Sequence, residues 1–240
     1  MVFQDPLNAL NPVFPIREQL LDVIRHAGKS REEAKKISRK ELEEIAIQSL
    51  GEVKLPDPKR ILSCYPLELS GGMRQRILIA MALVNKPNFL IADEPGTALD
   101  VTIQAQILDL LENLVISRGI SILLITHNLG VIQTTTERVY IMYAGQIAET
   151  APTEILFEDP KHPYTQGLLA SVPRLTGGQI AEGIKGTVPD YTEVPSGCRF
   201  HPRCDYVMAI CKKQKPPFVE IGPNHKVGCY LYTDRGKNDE

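Results

Sequence analysis

The sequence predicts an α/β fold in which a parallel sheet carries a helical subdomain and, after about residue 150, a small cysteine-rich extension. Three observations point there. Two short, largely apolar segments, Phe89–Ala92 and Ile120–Thr126, alternate with helical stretches, the pattern of parallel strands whose sheet is covered on both faces. A helical periodicity fills Ile16 to about Val53. Four of the five cysteines fall in the last fifth of the chain, beyond a shift toward Pro, Gly and short motifs.

Composition sets outer bounds. The chain has 240 residues, 43% hydrophobic and 23% charged, which excludes fibrous and wholly disordered classes. Lys and Arg total 27 against 29 Asp and Glu, a net charge of -2, so no global positive field argues for nucleic acid as a partner. The longest apolar runs, Ile77–Val84 and Ile120–Ile125, fall far short of the roughly 20 residues of a membrane-spanning helix. The first residues lack a secretory signal pattern, which leads us to expect a cytoplasmic chain.

The elements follow in order. Val2-Phe3-Gln4 reads as the tail of a strand and Asp5 to Pro15, with three prolines, as loop. In the helical subdomain, about residues 12–68, Leu20, Leu21, Val23 and Ile24 mark one helix and Leu42, Ile45, Ala46 and Leu50 a second. Ser30 reads as a cap between them, and Gly51 with Pro56-Asp57-Pro58 closes the segment. Met73 to Asn85 and Val101 to Arg118 read as helices, with the two apolar strands placed after each. Arg138–Tyr143 and Gln146–Glu149, around Ala144-Gly145, read as a hairpin. The domain boundary is expected at about residue 150, giving 1–150 and 151–240.

Three motifs carry chemistry. Leu69-Ser70-Gly71-Gly72-Met73 opens a helix with a capping serine and two glycines that let an anion approach the positive helix end; taken alone it reads first as an ordinary cap. Asp93 and Glu94 end a buried strand, where parallel sheets bind ligands; Asp93 suits Mg²⁺ and Glu94 suits polarising a water, although strand-end acids also cap helices. His127 follows the next strand, where it could meet a γ-phosphate or serve structure only.

Together these motifs resemble the ABC-transporter ATPase family. Leu69–Met73 is similar to its signature, Phe89–Glu94 to Walker B with the catalytic glutamate, Ala98-Leu99-Asp100 to the D-loop, His127 to the switch histidine and Gln4 to the Q-loop glutamine. Finer residues resemble the oligopeptide/dipeptide importer branch: Gln4–Pro12, His162-Pro163-Tyr164-Thr165-Gln166-Gly167, Phe200-His201-Pro202-Arg203-Cys204 and Cys229. The resemblance implies a P-loop NTPase-like core, catalytic roles for Glu94, His127 and Gln4, and nucleotide contacts from Ser70, Gly71, Gly72, Asp93 and Asp100, with Asp93 on Mg²⁺. It also implies ATP as cofactor and a peripheral place at the cytoplasmic face of the membrane. The partners it implies are permease subunits, a second ATPase subunit and, indirectly, a peptide-binding protein.

One motif of that family is not in the sequence. No Gly-x-x-x-x-Gly-Lys-Ser/Thr occurs, although that loop cradles the phosphates and supplies a Mg²⁺ ligand. We therefore expect an N-terminally truncated ATPase domain, inactive alone, with the open edge of its sheet on the Walker B strand. Either the sequence is a piece of a longer ATPase or another chain supplies the missing half. Gly96, where the family has Ser or Thr, is a smaller departure.

Cys198, Cys204, Cys211 and Cys229 are spaced C-x5-C-x6-C-x17-C, unlike the compact pairing of common zinc sites. Four thiolates suit an iron-sulfur cluster or tetrahedral zinc, and the resemblance favours 4Fe-4S, with zinc, free thiols or disulfides as alternatives. Cys64 is expected to be buried and structural. The leading expectation is the energy-coupling ATPase subunit of a peptide importer; a partner subunit donating its signature in trans and a metal- or redox-responsive module are the alternatives.

Overall fold

The computed structural model describes residues 1–27, 37–97, 99–172, 183–188, 190 and 192–233. Ser30 and Ala98 therefore lie outside the described residues. The chain forms two compact units, Met1–His127 and Asn128–Glu240. The expected boundary near residue 150 instead falls inside the second unit, because the hairpin before it pairs with a strand from the extension.

The first unit begins with α1 (Pro6–Ala9), whose N-terminus Asp5 caps through Leu7 N at 2.8 Å. Two amphipathic helices follow, α2 (Ile16–His26) and α3 (Arg39–Glu52), then α4 (Pro58–Ser63). Helix α2 buries Ile16, Leu20, Leu21 and Ile24 on one face, as its spacing requires. Helix α3 starts at a reciprocal cap: Glu41 N donates to Ser38 Oγ at 3.2 Å, and Ser38 N donates back to Glu41 Oε2 at 2.8 Å. Helix α5 (Gly71–Leu83) lies nearly all in the core, with Ile77 and Ile79 fully buried.

Strand β1 (Phe89–Asp93) runs parallel to β2 (Ser121–Ile125), with Leu90 beside Ile122 and Asp93 beside Ile125. Between them α6 (Val101–Arg118) supplies Ile107, Leu110, Leu111 and Leu114 to the same core. Asp100 caps its start and Gly119, at φ +64, ends it in a left-handed turn a side chain would resist.

The structure corrects two expectations here. Val2 forms a parallel bridge to Ala92 on the other flank of β1, donating to Ile91 O at 2.8 Å and accepting from Asp93 N at 3.0 Å. Strand β1 is thus flanked on both sides, and the unpaired edge among the described residues is that of β2. Nor is β2 covered on both faces: Leu123 and Ile125 remain 41% and 43% exposed, since a two-stranded sheet has too few neighbours to bury them.

In the second unit, α7 (Leu129–Thr135) leads to β3 (Arg138–Tyr143) and β4 (Gln146–Pro152), an antiparallel hairpin. Ala144 and Gly145 both take positive φ, 48° and 76°, as a tight hairpin turn demands. Helices α8 (Thr153–Glu158) and α9 (Pro163–Ala170) follow. The extension returns through β5 (Val219–Gly222) and β6 (His225–Val227), giving a sheet of order β3-β4-β6-β5. No helix among the described residues is long and apolar enough to cross a membrane.

Candidate functional site

The end of β1 gathers the first unit's candidate residues. Glu94 follows the strand with φ +47°, a left-handed conformation rare for a residue with a Cβ, and its N–H donates to Ile125 O at 2.8 Å. That twist turns its carboxylate toward the second residue after β2: Glu94 Oε1 lies 2.5 Å from His127 Nδ1. Glu94 Oε2 accepts a hydrogen bond from the Thr97 hydroxyl. Burial pushes the Glu94 carboxyl up, but the hydrogen bonds from Thr97 and His127, and the charge of His127, outweigh it and hold the carboxyl below its ordinary value. An ionised carboxylate next to an imidazole can orient a water and accept its proton.

The other predicted residues are placed around it. Asp93 ends β1 itself, partly buried, and Gln4 is exposed two residues beyond the bridge that Val2 makes to Ala92. Ser70 caps α5, accepting from Met73 N at 3.3 Å, and Asp100 caps α6, accepting from Ile103 N at 2.9 Å. Both therefore cap helices, the ordinary role weighed at the outset for Ser70, and Ser70 remains exposed. The signature glycines have a packing reason that the sequence did not show. A Cβ on Gly71 would come within 2.8 Å of Leu99 Cδ2, and one on Gly72 within 2.5 Å of Ile103 Cγ2.

Thr97 and Ile103 were not singled out from the sequence, and Leu99 only as part of Ala98-Leu99-Asp100. Thr97 had a legible signal: it stands three residues after Glu94 across Pro95-Gly96, the spacing of a turn, and its N–H donates to Glu94 O at 3.1 Å. Leu99 and Ile103 had none, since they meet the glycines only through packing.

The second unit holds the cysteines. Cys198, Cys204, Cys211 and Cys229 line one pocket with His162, Phe200 and Tyr230, and all four are free thiols. Burial pushes Cys198, Cys204 and Cys229 up, Cys229 to about 12, and each is raised further by its neighbouring thiols. The expected metal site is not preformed: among the described residues no three His, Cys, Asp or Glu side chains are placed to hold a metal ion. His225 is engaged elsewhere, its Nε2 2.7 Å from Glu149 Oε1, and His201 Nδ1 lies 2.9 Å from Cys198 O. Cys64, expected to be buried, is only half-buried; its thiol donates to Arg60 O at 3.4 Å, because it ends α4 at the rim of the core.

Comparison with known proteins gives these placements a family. Residues 1–97 match the ABC transporter family, and residues 148–211 match the oligopeptide/dipeptide transporter C-terminal region. The chain is 45% identical over 240 residues to the dipeptide transport ATP-binding protein DppD of Bacillus subtilis, covering 99% of this chain and 69% of that one. The oligopeptide transport ATP-binding protein AppD of Bacillus subtilis is 44% identical over 237 residues, covering 98% of this chain and 70% of that one. Among solved structures, the dimeric, post-hydrolysis ATP-binding cassette MJ0796 bound to ADP and Pi superposes with a TM-score of 0.52 at 28% identity. That superposition covers 63% of this chain and 61% of the cassette. With nearly half its residues identical to transport ATP-binding proteins along almost its whole length, the chain belongs to the ATP-binding proteins of ABC transporters, in the oligopeptide/dipeptide branch.

Proposed function

We propose that the chain is the energy-coupling ATP-binding subunit of an importer for dipeptides or oligopeptides. It would work with permease subunits at the cytoplasmic face of the membrane and with a second ATPase subunit, and receive solute through a peptide-binding protein. The observation that carries the reading is the Glu94–His127 pair at the end of β1, beside Asp93. Asp93 would hold Mg²⁺ through its water shell, and Glu94 would orient a water and take its proton. MgATP, when bound, supplies the phosphoryl group and its leaving nucleotide. Gln4 and Asp100 extend the site, Gln4 on the permease side.

The sequence contains no phosphate-cradling loop, so this chain alone is expected not to turn over ATP. Ser70, Gly71 and Gly72 would act in trans, closing on nucleotide held by a partner's loop. Steady-state hydrolysis tests both statements. The isolated chain should stay well below an ordinary ATPase rate of about 1 per second. A loop-bearing partner cassette should hydrolyse faster with the chain, and Ser70→Arg should abolish that gain. Turnover at the ordinary rate by the chain alone overturns the first statement, and no effect of Ser70→Arg overturns the second.

The cysteine pocket supports a second reading, a 4Fe-4S cluster that staples the extension. Four cysteines drawn from separate segments line one pocket, and four thiolates are a donor set that suits iron. Cys198, Cys204, Cys211 and Cys229 would hold it. Anaerobic reconstitution should give equal iron and acid-labile sulfide with a visible chromophore. Zinc uptake with no bound iron sinks the reading.

A further inference from the structure

The hydroxyl of Thr97 is not part of any motif named above, yet it takes one of the two oxygens of Glu94. We propose that Thr97 is a positioning residue for Glu94, the fixed anchor of its carboxylate, with His127 as the releasable one. The proposal rests on the reading of Glu94 as the group that meets the attacking water.

The two anchors differ in kind. His127 reaches Oε1 from a loop position, and its side chain is 78% exposed while that of Glu94 is 15% exposed. Thr97 reaches Oε2 from within a closed turn: its own N–H donates to Glu94 O, so hydroxyl and carboxylate share one local frame. Pro95 and Gly96 between them are buried. Gly96 sits so close to α6 that a Cβ there would come within 2.5 Å of Gln104 Cγ. The turn therefore cannot shift toward α6 without moving Gln104, and the absence of a side chain at 96 lets it seat where it does.

A carboxylate held at one oxygen still rotates about its last bond, while one held at both does not. If His127 swings away to meet an incoming phosphate, Thr97 keeps Oε2 in place and Oε1 is left free for water. Without the hydroxyl, release of His127 would leave the carboxylate unanchored. A positioned general base loses rate steeply when its geometry slackens.

The test is where the Glu94 carboxylate lies in crystal structures of variants of the full 240-residue chain without nucleotide. In His127→Ala the carboxylate should keep its orientation, with Oε2 on the Thr97 hydroxyl. In His127→Ala with Thr97→Val it should turn away or spread over several orientations, and His127→Ala with Thr97→Ser should restore it. A carboxylate that leaves Thr97 in His127→Ala, or that keeps its place in the folded Thr97→Val double variant, overturns the proposal. Should the double variant fail to fold, His127→Ala alone decides, since His127 is exposed. These structures need no ATP, so failure of the reading of Glu94 as the reacting carboxylate would leave its Thr97 anchor standing.

Discussion

The two units are held together by different physics. Met1–His127 has one continuous apolar core in which Leu20, Leu42, Leu50, Ile77 and Leu90 are almost wholly buried. Asn128–Glu240 has, among its described residues, two small clusters, one of Val139, Ile141, Ala151 and Leu156, the other centred on Tyr143 and Phe200. What joins strand to extension there is polar. Glu149, fully buried on β4, accepts from Lys161 N and His162 N at 2.8 Å each and pairs with His225 Nε2 at 2.7 Å. The turn of the hairpin is pinned by Arg199, which donates to Ala144 O. A large core spreads its stability over many contacts, whereas a small unit concentrates it in few.

That contrast can be broken most sharply at Glu149. Glu149→Ala leaves a buried histidine and two N–H groups unpaired and should cost the second unit about 3–5 kcal/mol. Hydrogen exchange at β4 and β6 would read it, and a loss below about 1 kcal/mol would show that the hub is dispensable. In the first unit, Leu50→Ala should cost about 3 kcal/mol through cavity formation, measured by denaturant unfolding. It should prove no worse than Glu149→Ala despite removing far more apolar contact.

The smallest effect sharpens the contrast through pH. Burial pushes the His162 imidazole down to about 4 from its ordinary 6.5, against the opposing pull of Glu149. The unfolded chain therefore takes a proton near pH 6.5 that the folded chain refuses until about pH 4. Stability of the second unit should fall by up to about 3 kcal/mol as pH drops through that window, and be insensitive to this group above it. His162→Asn should flatten the profile in unfolding measured from pH 7 to 4. A profile that His162→Asn leaves equally steep would assign the acid sensitivity to another group.

What the sequence made legible was local. Helix α6 begins and ends as expected because Asp100 and Gly119 signal both ends within one turn. The hairpin was legible in Ala144-Gly145, and β1 in its unbroken apolar run. Glu94 and His127 were each legible at the end of a parallel strand, but not as a pair, because that contact depends on β1 and β2 being neighbours. What stayed hidden depended on distant partners. Strand β6 is three residues long and has no pattern of its own, and Glu149 meets His225 across 76 positions. Its one local sign was a charged residue in the middle of an otherwise buried stretch of β4. The open edge was assigned to the wrong strand because order within a sheet cannot be read from apolar runs alone.

The packing of the signature glycines bears on how loss-of-function alleles should be interpreted. Any side chain at position 72 must displace Ile103 close to its backbone, while one at 71 meets only the flexible tip of Leu99. A dead Gly72 allele thus confounds two lesions, a block of the nucleotide face proposed above and a dislodged start of α6, the helix that leaves the Glu94 turn. Ser70, exposed and outside that contact, is the position at which genetics can separate them.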